Sequence, residues 1–234
     1  SSSSSWTNLD WITTLPFLKE LPDGGGTVNS ETSSSYTSLV GSSGLASDNN
    51  LMKNLEGLWH LNESTTGTAP GATDFRDTSG KNRHGTGVNA PEIGQPGKFG
   101  LAPKLNGSTQ YIGVSGFNIS GNRDFTWSAW FMRKDEDQWE YVIGKDSAGI
   151  GFHSVFDPDR FYVGFTLADT SHMAWHISIN PTIGKWHHIT LVHSGTVFYF
   201  YLDGKFRASR DAGQGLWAPL TNEPTRLGDR TFSG

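Results

Sequence analysis

Phe125-Thr126-Trp127-Ser128-Ala129-Trp130-Phe131-Met132 is the stretch on which the fold turns. Successive side chains on a strand point to opposite faces, so Phe125, Trp127, Ala129 and Phe131 would share one face and Thr126, Ser128, Trp130 and Met132 the other. An aromatic run with this period-two pattern predicts a strand. Downstream, Tyr141 to Ile143, Phe161 to Leu167, Met173 to Ile179 and Trp186 to Val192 have the same texture. Val197-Phe198-Tyr199-Phe200-Tyr201-Leu202 follows and closes on Asp203-Gly204, a two-residue hairpin signal; a further hairpin is expected at His193-Ser194-Gly195. Upstream, Gly57 to Leu61 and Thr109 to Val114 read as strands. Hairpin-connected strands with no helix between them predict an all-β fold, an antiparallel sandwich of two packed sheets.

Composition agrees with that class and removes several functions. Nine Trp and 29 Gly suit aromatic strands broken by tight turns. The net charge is -5 with no long run of Lys or Arg, so the basic face that a nucleic-acid binder needs is missing and no nucleic-acid partner is expected. The chain has no cysteine, which excludes disulfides, thiolate metal sites and cysteine nucleophiles. No apolar run approaches the ~18 residues of a membrane-spanning helix, so membrane insertion is not expected.

Residues 1–52 form a first region dominated by Ser, Thr and Gly, beginning with the run Ser1 to Ser5 and carrying Trp6, Trp11, Phe17 and Gly24-Gly25-Gly26. It reads either as an extended linker or as a segment whose aromatic residues pack on a neighbour, the following domain or another subunit. Residues 53–234 form the second region and hold all the strands.

Several stretches of this region, in order, resemble one family. Gly57-Leu58-Trp59-His60-Leu61-Asn62-Glu63, Asp77-Thr78-Ser79-Gly80, Gly97-Lys98-Phe99-Gly100 and Leu105-Asn106-Gly107-Ser108 resemble the opening of laminin-G-like, concanavalin-type jelly rolls. Phe125 to Phe131 is similar to their central aromatic strand, and Trp186 to Val192 with Tyr201 to Gly204 to their hairpin. The resemblance implies a closing strand that returns beside the first one after a Phe-x-Gly; here Phe232-Ser233-Gly234 ends the sequence, and that strand is expected to be missing or supplied by another chain. It also implies one structural calcium ion, with Glu63 and Asp77 as side-chain ligands, against the alternative that Glu63 caps a turn and Asp77 anchors an Asx-turn. The lead-in, including Lys19-Glu20-Leu21-Pro22-Asp23, resembles that of large bacterial surface and fibre proteins, which implies display on a homo-oligomer, a trimer being favoured.

For catalysis, a jelly-roll glycosidase needs two carboxylates on one strand face, in the form Glu-apolar-Asp-x-x-Glu, and that motif is absent. Asp135-Glu136-Asp137 with Glu140 reads as solvated loop charge, or else as a cation-binding loop. His187 and His188 are neighbours on a strand and would face opposite ways, so they cannot chelate one ion. No catalytic residue is therefore assigned. Recognition of a glycan needs aromatic plates ringed by polar groups. Trp139, Trp175 and Trp217 are expected in loops or at strand ends as plates, with Asp146, His153, Asp157, Arg160 and His176 supplying hydrogen bonds. The expected role is an extracellular, adhesin-type domain that binds cell-surface glycans. The alternatives are a trimerisation module with no small ligand and a polysaccharide-cleaving jelly roll.

Overall fold

A computed structural model describes residues 55–63, 67–68, 75–116, 124–134, 139–147, 150–157, 160–167, 169–214 and 224–229; for 67–68, 146–147 and 150–152 only the backbone is described. The strands are β1 (Gly67–Thr68), β2 (Gly85–Val88), β3 (Glu92–Pro96), β4 (Leu101–Lys104), β5 (Tyr111–Val114), β6 (Phe125–Met132) and β7 (Glu140–Ser147). They continue with β8 (Ile150–Asp157), β9 (Arg160–Thr166), β10 (His172–Ile177), β11 (Trp186–Ser194), β12 (Val197–Leu202), β13 (Lys205–Asp211) and β14 (Thr225–Leu227). All pairings are antiparallel. They build a seven-stranded sheet in the order β10-β9-β8-β7-β14-β5-β2, a four-stranded sheet β13-β12-β11-β6 and a small sheet β1-β3-β4. No helix among the described residues is long and apolar enough to cross a membrane.

The two larger sheets pack face to face through the period-two pattern of their strands. Trp127, Ile189, Leu191, Phe198, Phe200 and Leu202 come from the four-stranded sheet; Phe156, Phe161, Val163, Phe165, Met173 and Ile177 come from the seven-stranded one. Rings meet across the gap: Phe165 on Phe198 at 4.2 Å, Phe161 on Phe200 at 4.7 Å and Phe131 on Phe156 at 4.7 Å. Phe75, Ile93, Ile112 and Val114 form a second cluster, with Trp59 and Leu61 against it.

The octet 125–132 forms β6 with its expected first face inward, Trp127 being 8% exposed. Asp203 and Gly204 take φ of 53° and 70°, the two positive values of a type I′ hairpin turn. Two expectations shift. The other hairpin turns at Gly195 and Thr196, because β11 runs on to Ser194, which pairs with Val197. Gly57 to Leu61 is not a strand. Trp59 makes one isolated bridge to Asp77, Leu58 N–H is taken by the Asp77 side chain, and Leu61 has φ 57°, which breaks an extended run. Glu140 is not loop charge either: it opens β7 and binds Arg133, whose side chain is 1% exposed, at 2.7 Å. Asp135, Glu136 and Asp137 lie outside the described residues. β14 lies between β7 and β5 and pairs with both.

Candidate functional site

The outward face of β7 to β10 gathers the polar aromatic side chains. The inward face of these strands takes Phe161, Val163 and Phe165, so Arg160, Tyr162, Gly164 and Thr166 turn outward. Register then defines rows across the strands. Tyr141 stands opposite Val155, Val155 opposite Tyr162, and Tyr162 opposite His176. In the next row Gly144 faces His153, His153 faces Gly164, and Gly164 faces Ala174. Thr166 and His172 pair in the row beyond. Gly144 and Gly164 thus flank His153, which is 3% exposed.

Tyr162 organises a cluster of rings on this face. Its hydroxyl hydrogen-bonds His172 Nε2 at 3.0 Å, across Gly164. Its ring lies 4.7 Å from His176, 5.2 Å from His153 and 6.5 Å, edge-on, from Trp139. His153 and His172 stack at 6.0 Å. Trp139 leads into β7 and is 48% exposed, which makes it the open plate at the border of the cluster. At the same end the β8–β9 hairpin is closed by Asp157, which accepts hydrogen bonds from Arg160 N–H at 3.0 Å and Arg160 Nε at 2.8 Å. At the far end the pKa of Asp169, in the β9–β10 connection, is lowered to about 2 by hydrogen bonds from the Gln214 side chain and from Ser171.

Of the residues expected to bind ligand, Trp139, His153, Asp157, Arg160 and His176 share this face. Asp146 lies on β7 in register with Gly151, its side chain not described. Trp217 lies outside the described residues. Trp175 is a correction: expected near a loop or strand end as a plate, it sits within β10 with its ring in the core, 6% exposed. The alternation in His172-Met173-Ala174-Trp175-His176-Ile177 puts Met173, Trp175 and Ile177 inward and the two histidines outward. Tyr141 and Tyr162 were not anticipated. Their signal was available in the same period: Tyr162 is two residues from Arg160 and so shares its face.

The proposed calcium ligands stand differently. Asp77 Oδ1 accepts from Leu58 N–H and Ser79 N–H, and Oδ2 accepts from Ser79 Oγ and Arg83 N–H, each at 2.9 Å. A carboxylate has about four lone-pair sites, and these four donors take them all. Asp77 is therefore the Asx-type anchor and not an oxygen open to a cation. Burial opposes its charge, but the hydrogen bonds from Leu58, Arg83 and Ser79 outweigh it and hold Asp77 below the usual carboxylate range. Glu63 Oε1 accepts from Arg76 N–H at 3.2 Å. Among the described residues no group of three or more His, Cys, Asp or Glu is arranged to hold a metal.

Two antiparallel sheets packed face to face define the class of double-sheet jelly-roll β-sandwiches. The family model described as Concanavalin A-like lectin/glucanases superfamily matches residues 106–234, more than half of the chain, and the protein belongs to that family. No curated protein sequence matches the chain. Among solved structures, its fold is similar to the binding domain of Paraclostridial Mosquitocidal Protein 1, at 17% identity and a TM-score of 0.51, covering 70% of this chain and 47% of that one. It is also similar to the receptor binding domain of botulinum neurotoxin D, at 13% identity and a TM-score of 0.55, covering 72% and 45%. The botulinum neurotoxin serotype D ligand binding domain in complex with N-acetylneuraminic acid matches at 13% identity and a TM-score of 0.55, covering 72% and 43%. The protein spans less than half the length of each of these chains, and at such identities the likeness is one of fold.

Proposed function

We propose that this domain is an extracellular recognition module of a larger surface or fibre protein, and that it binds cell-surface glycans on the outward face of β7 to β10. The observation that carries this reading is the cluster of Tyr162, His172 and His176 on that face, with Trp139 exposed beside it. Aromatic faces stack on the C–H face of a pyranose, and imidazole and phenol groups meet its hydroxyls. The family description, which includes lectins, and the sialic-acid complex of a domain of similar fold support the same reading. Binding through so shallow a surface would be weak at one site, with micromolar to millimolar dissociation constants, and strengthened by display on an oligomer, a trimer being our expectation. Cleavage is not part of the proposal, because the Asp157 carboxylate is engaged by Arg160. A glycan array followed by calorimetry tests it: Trp139→Ala and Tyr162→Ala are expected to abolish binding of the array ligand without unfolding the protein. Full binding by both variants, or no glycan bound by the unaltered protein, overturns it.

A further inference from the structure

β10 is the edge strand of the seven-stranded sheet, and its outward side chains include two ionisable groups open to solvent. His172, Ala174 and His176 are exposed, while Met173, Trp175 and Ile177 are buried. Tyr162 lies lengthwise beside them. Its backbone pairs with His176, its ring centre is 4.7 Å from that imidazole, and its hydroxyl reaches on to His172 Nε2 at 3.0 Å. One phenol therefore joins the two exposed histidines of this strand.

The direction of the Tyr162–His172 hydrogen bond depends on charge. With His172 neutral it can run either way, from the phenol to Nε2 or from Nε2–H to the phenol oxygen, as the tautomer dictates. With His172 protonated both ring nitrogens are donors, and the bond runs only from Nε2–H to the phenol oxygen. The phenolic hydrogen is then turned away from the imidazole. Protonation thus does two things at once: it adds positive charge to the face and it fixes the phenol as a donor. A carboxylate or sulfate gains from both changes, through charge attraction and through charge-assisted hydrogen bonds. A neutral hydroxyl, which donates as readily as it accepts, gains little.

The ionisable neighbours can be named strand by strand. From β8, His153 stacks on His172 at 6.0 Å, but it is 3% exposed, so the charge offered to a ligand is that of His172 and His176. From β7, Tyr141 lies edge-on to His153 at 6.3 Å, and Asp146 stands three strands from β10, about 14 Å by strand spacing. At the β8–β9 turn, Asp157 is buried and binds the exposed Arg160 through Nε at 2.8 Å. In the β9–β10 connection, Asp169 accepts from Ser171 N–H at 2.9 Å. We propose, resting on the glycan-binding reading of the same face, that it selects acidic saccharides, received by protonated His172 and His176 with Tyr162 between them. Binding then tightens as pH falls through the range in which histidines take up a proton.

An array of neutral glycans and their carboxylate- or sulfate-bearing counterparts tests this, read at about pH 7.5 and about pH 5.5, with calorimetry on the strongest acidic ligand. An ordinary histidine passes from about one-tenth to about nine-tenths protonated between these values. Acidic glycans are therefore expected to gain about tenfold in affinity for each histidine that must carry its proton, and neutral glycans to change little. His172→Gln with His176→Gln, both at exposed sites, should remove the gain, and Tyr162→Phe should reduce it, in proteins whose urea midpoints show them folded. His188→Gln, on the four-stranded sheet, should leave it intact. Acidic and neutral glycans bound alike at both pH values overturn the proposal and leave the glycan reading standing. So does a preference for acidic glycans that ignores pH, or a gain that survives the double histidine substitution. No glycan bound at either pH overturns the glycan reading, and this proposal with it.

Discussion

The imidazole of His153 lies so close over Gly164 that a Cβ at Gly164 would stand 2.5 Å from His153 Cε1 and 2.7 Å from Nε2. The same Cβ would come within 3.1 Å of Tyr162 Oη. One glycine on β9 therefore allows a histidine on β8 and a tyrosine two residues away to lie flat against the sheet. Gly164→Ala is expected to push His153 and Tyr162 outward, costing about 1–3 kcal/mol by overpacking and weakening the proposed glycan binding. Urea unfolding and calorimetry on the one variant measure both, and unchanged values for both would show that the close approach carries no consequence.

The core prediction concerns Phe198, fully buried and stacked on Phe165 across the two sheets. Phe198→Ala deletes a ring that both layers enclose, so a loss of about 3–5 kcal/mol is expected. Phe198→Leu, which keeps most of the volume, should lose considerably less. Both are read from denaturant midpoints.

Arg133 and Glu140 tie the end of β6 to the start of β7. Arg133 Nε donates to Glu140 Oε2, its Nη1 donates to Asn180 Oδ1 at 2.8 Å, and its guanidinium lies 5.2 Å from the Phe156 ring. Removing one member of a buried pair strands the other charge, so Glu140→Leu is expected to cost about 3–5 kcal/mol. Arg133→Met combined with Glu140→Leu should recover most of that, since both charges are then gone. A thermodynamic cycle of the two single variants and the double variant is the check. Additive losses would mean that the pair is not coupled.

Asp77 yields a prediction about metal. Asp77→Ala would leave the N–H groups of Leu58, Ser79 and Arg83 without their acceptor, and hydrogen bonds to a charged group contribute about 1.5–3 kcal/mol each. Severe destabilisation is expected. Because the donors already fill this carboxylate, melting temperatures in millimolar calcium and in EDTA are expected to agree. A clear rise with calcium that Asp77→Asn abolishes would restore Asp77 as a ligand.

Stability should fall in two stages as pH drops, one through His188 and one through Asp203 and Asp77. Burial lowers the pKa of His188 in the folded protein, partly offset by Asp203. Below the unfolded value of roughly 6.5 the unfolded chain binds a proton that the folded chain resists, so His188 removes stability as pH falls through that range. Asp203 and Asp77 also have lowered values: burial opposes their charge but is outweighed by hydrogen bonds, from His187 and His188 in one case and from Leu58, Arg83 and Ser79 in the other. Their contribution is present above roughly pH 4 and is lost as pH falls further. Urea midpoints should therefore decline in two steps, and His188→Gln should flatten only the upper one.

The periodicity of the chain was enough to specify the layers. In 125–132, 172–177 and 197–202 alternate residues are large and apolar, and an extended chain can bury such a set only by presenting one face to a second sheet, whatever the connections. Asp203-Gly204 likewise settled its own hairpin, because two adjacent positive φ angles are a local demand that these residues meet. What the sequence left undecided depended on partners distant along the chain. Trp175 and His176 are neighbours that strand alternation sends to opposite faces, and only the packing of the second sheet decided which face became the core. Asp77 could be read as a calcium ligand until the fold brought Leu58 and Arg83 to its oxygens. His153, Tyr162, His172 and Trp139 became one surface only when β7, β8, β9 and β10 were laid side by side, because spacing along a chain carries no information about which strands hydrogen-bond to each other.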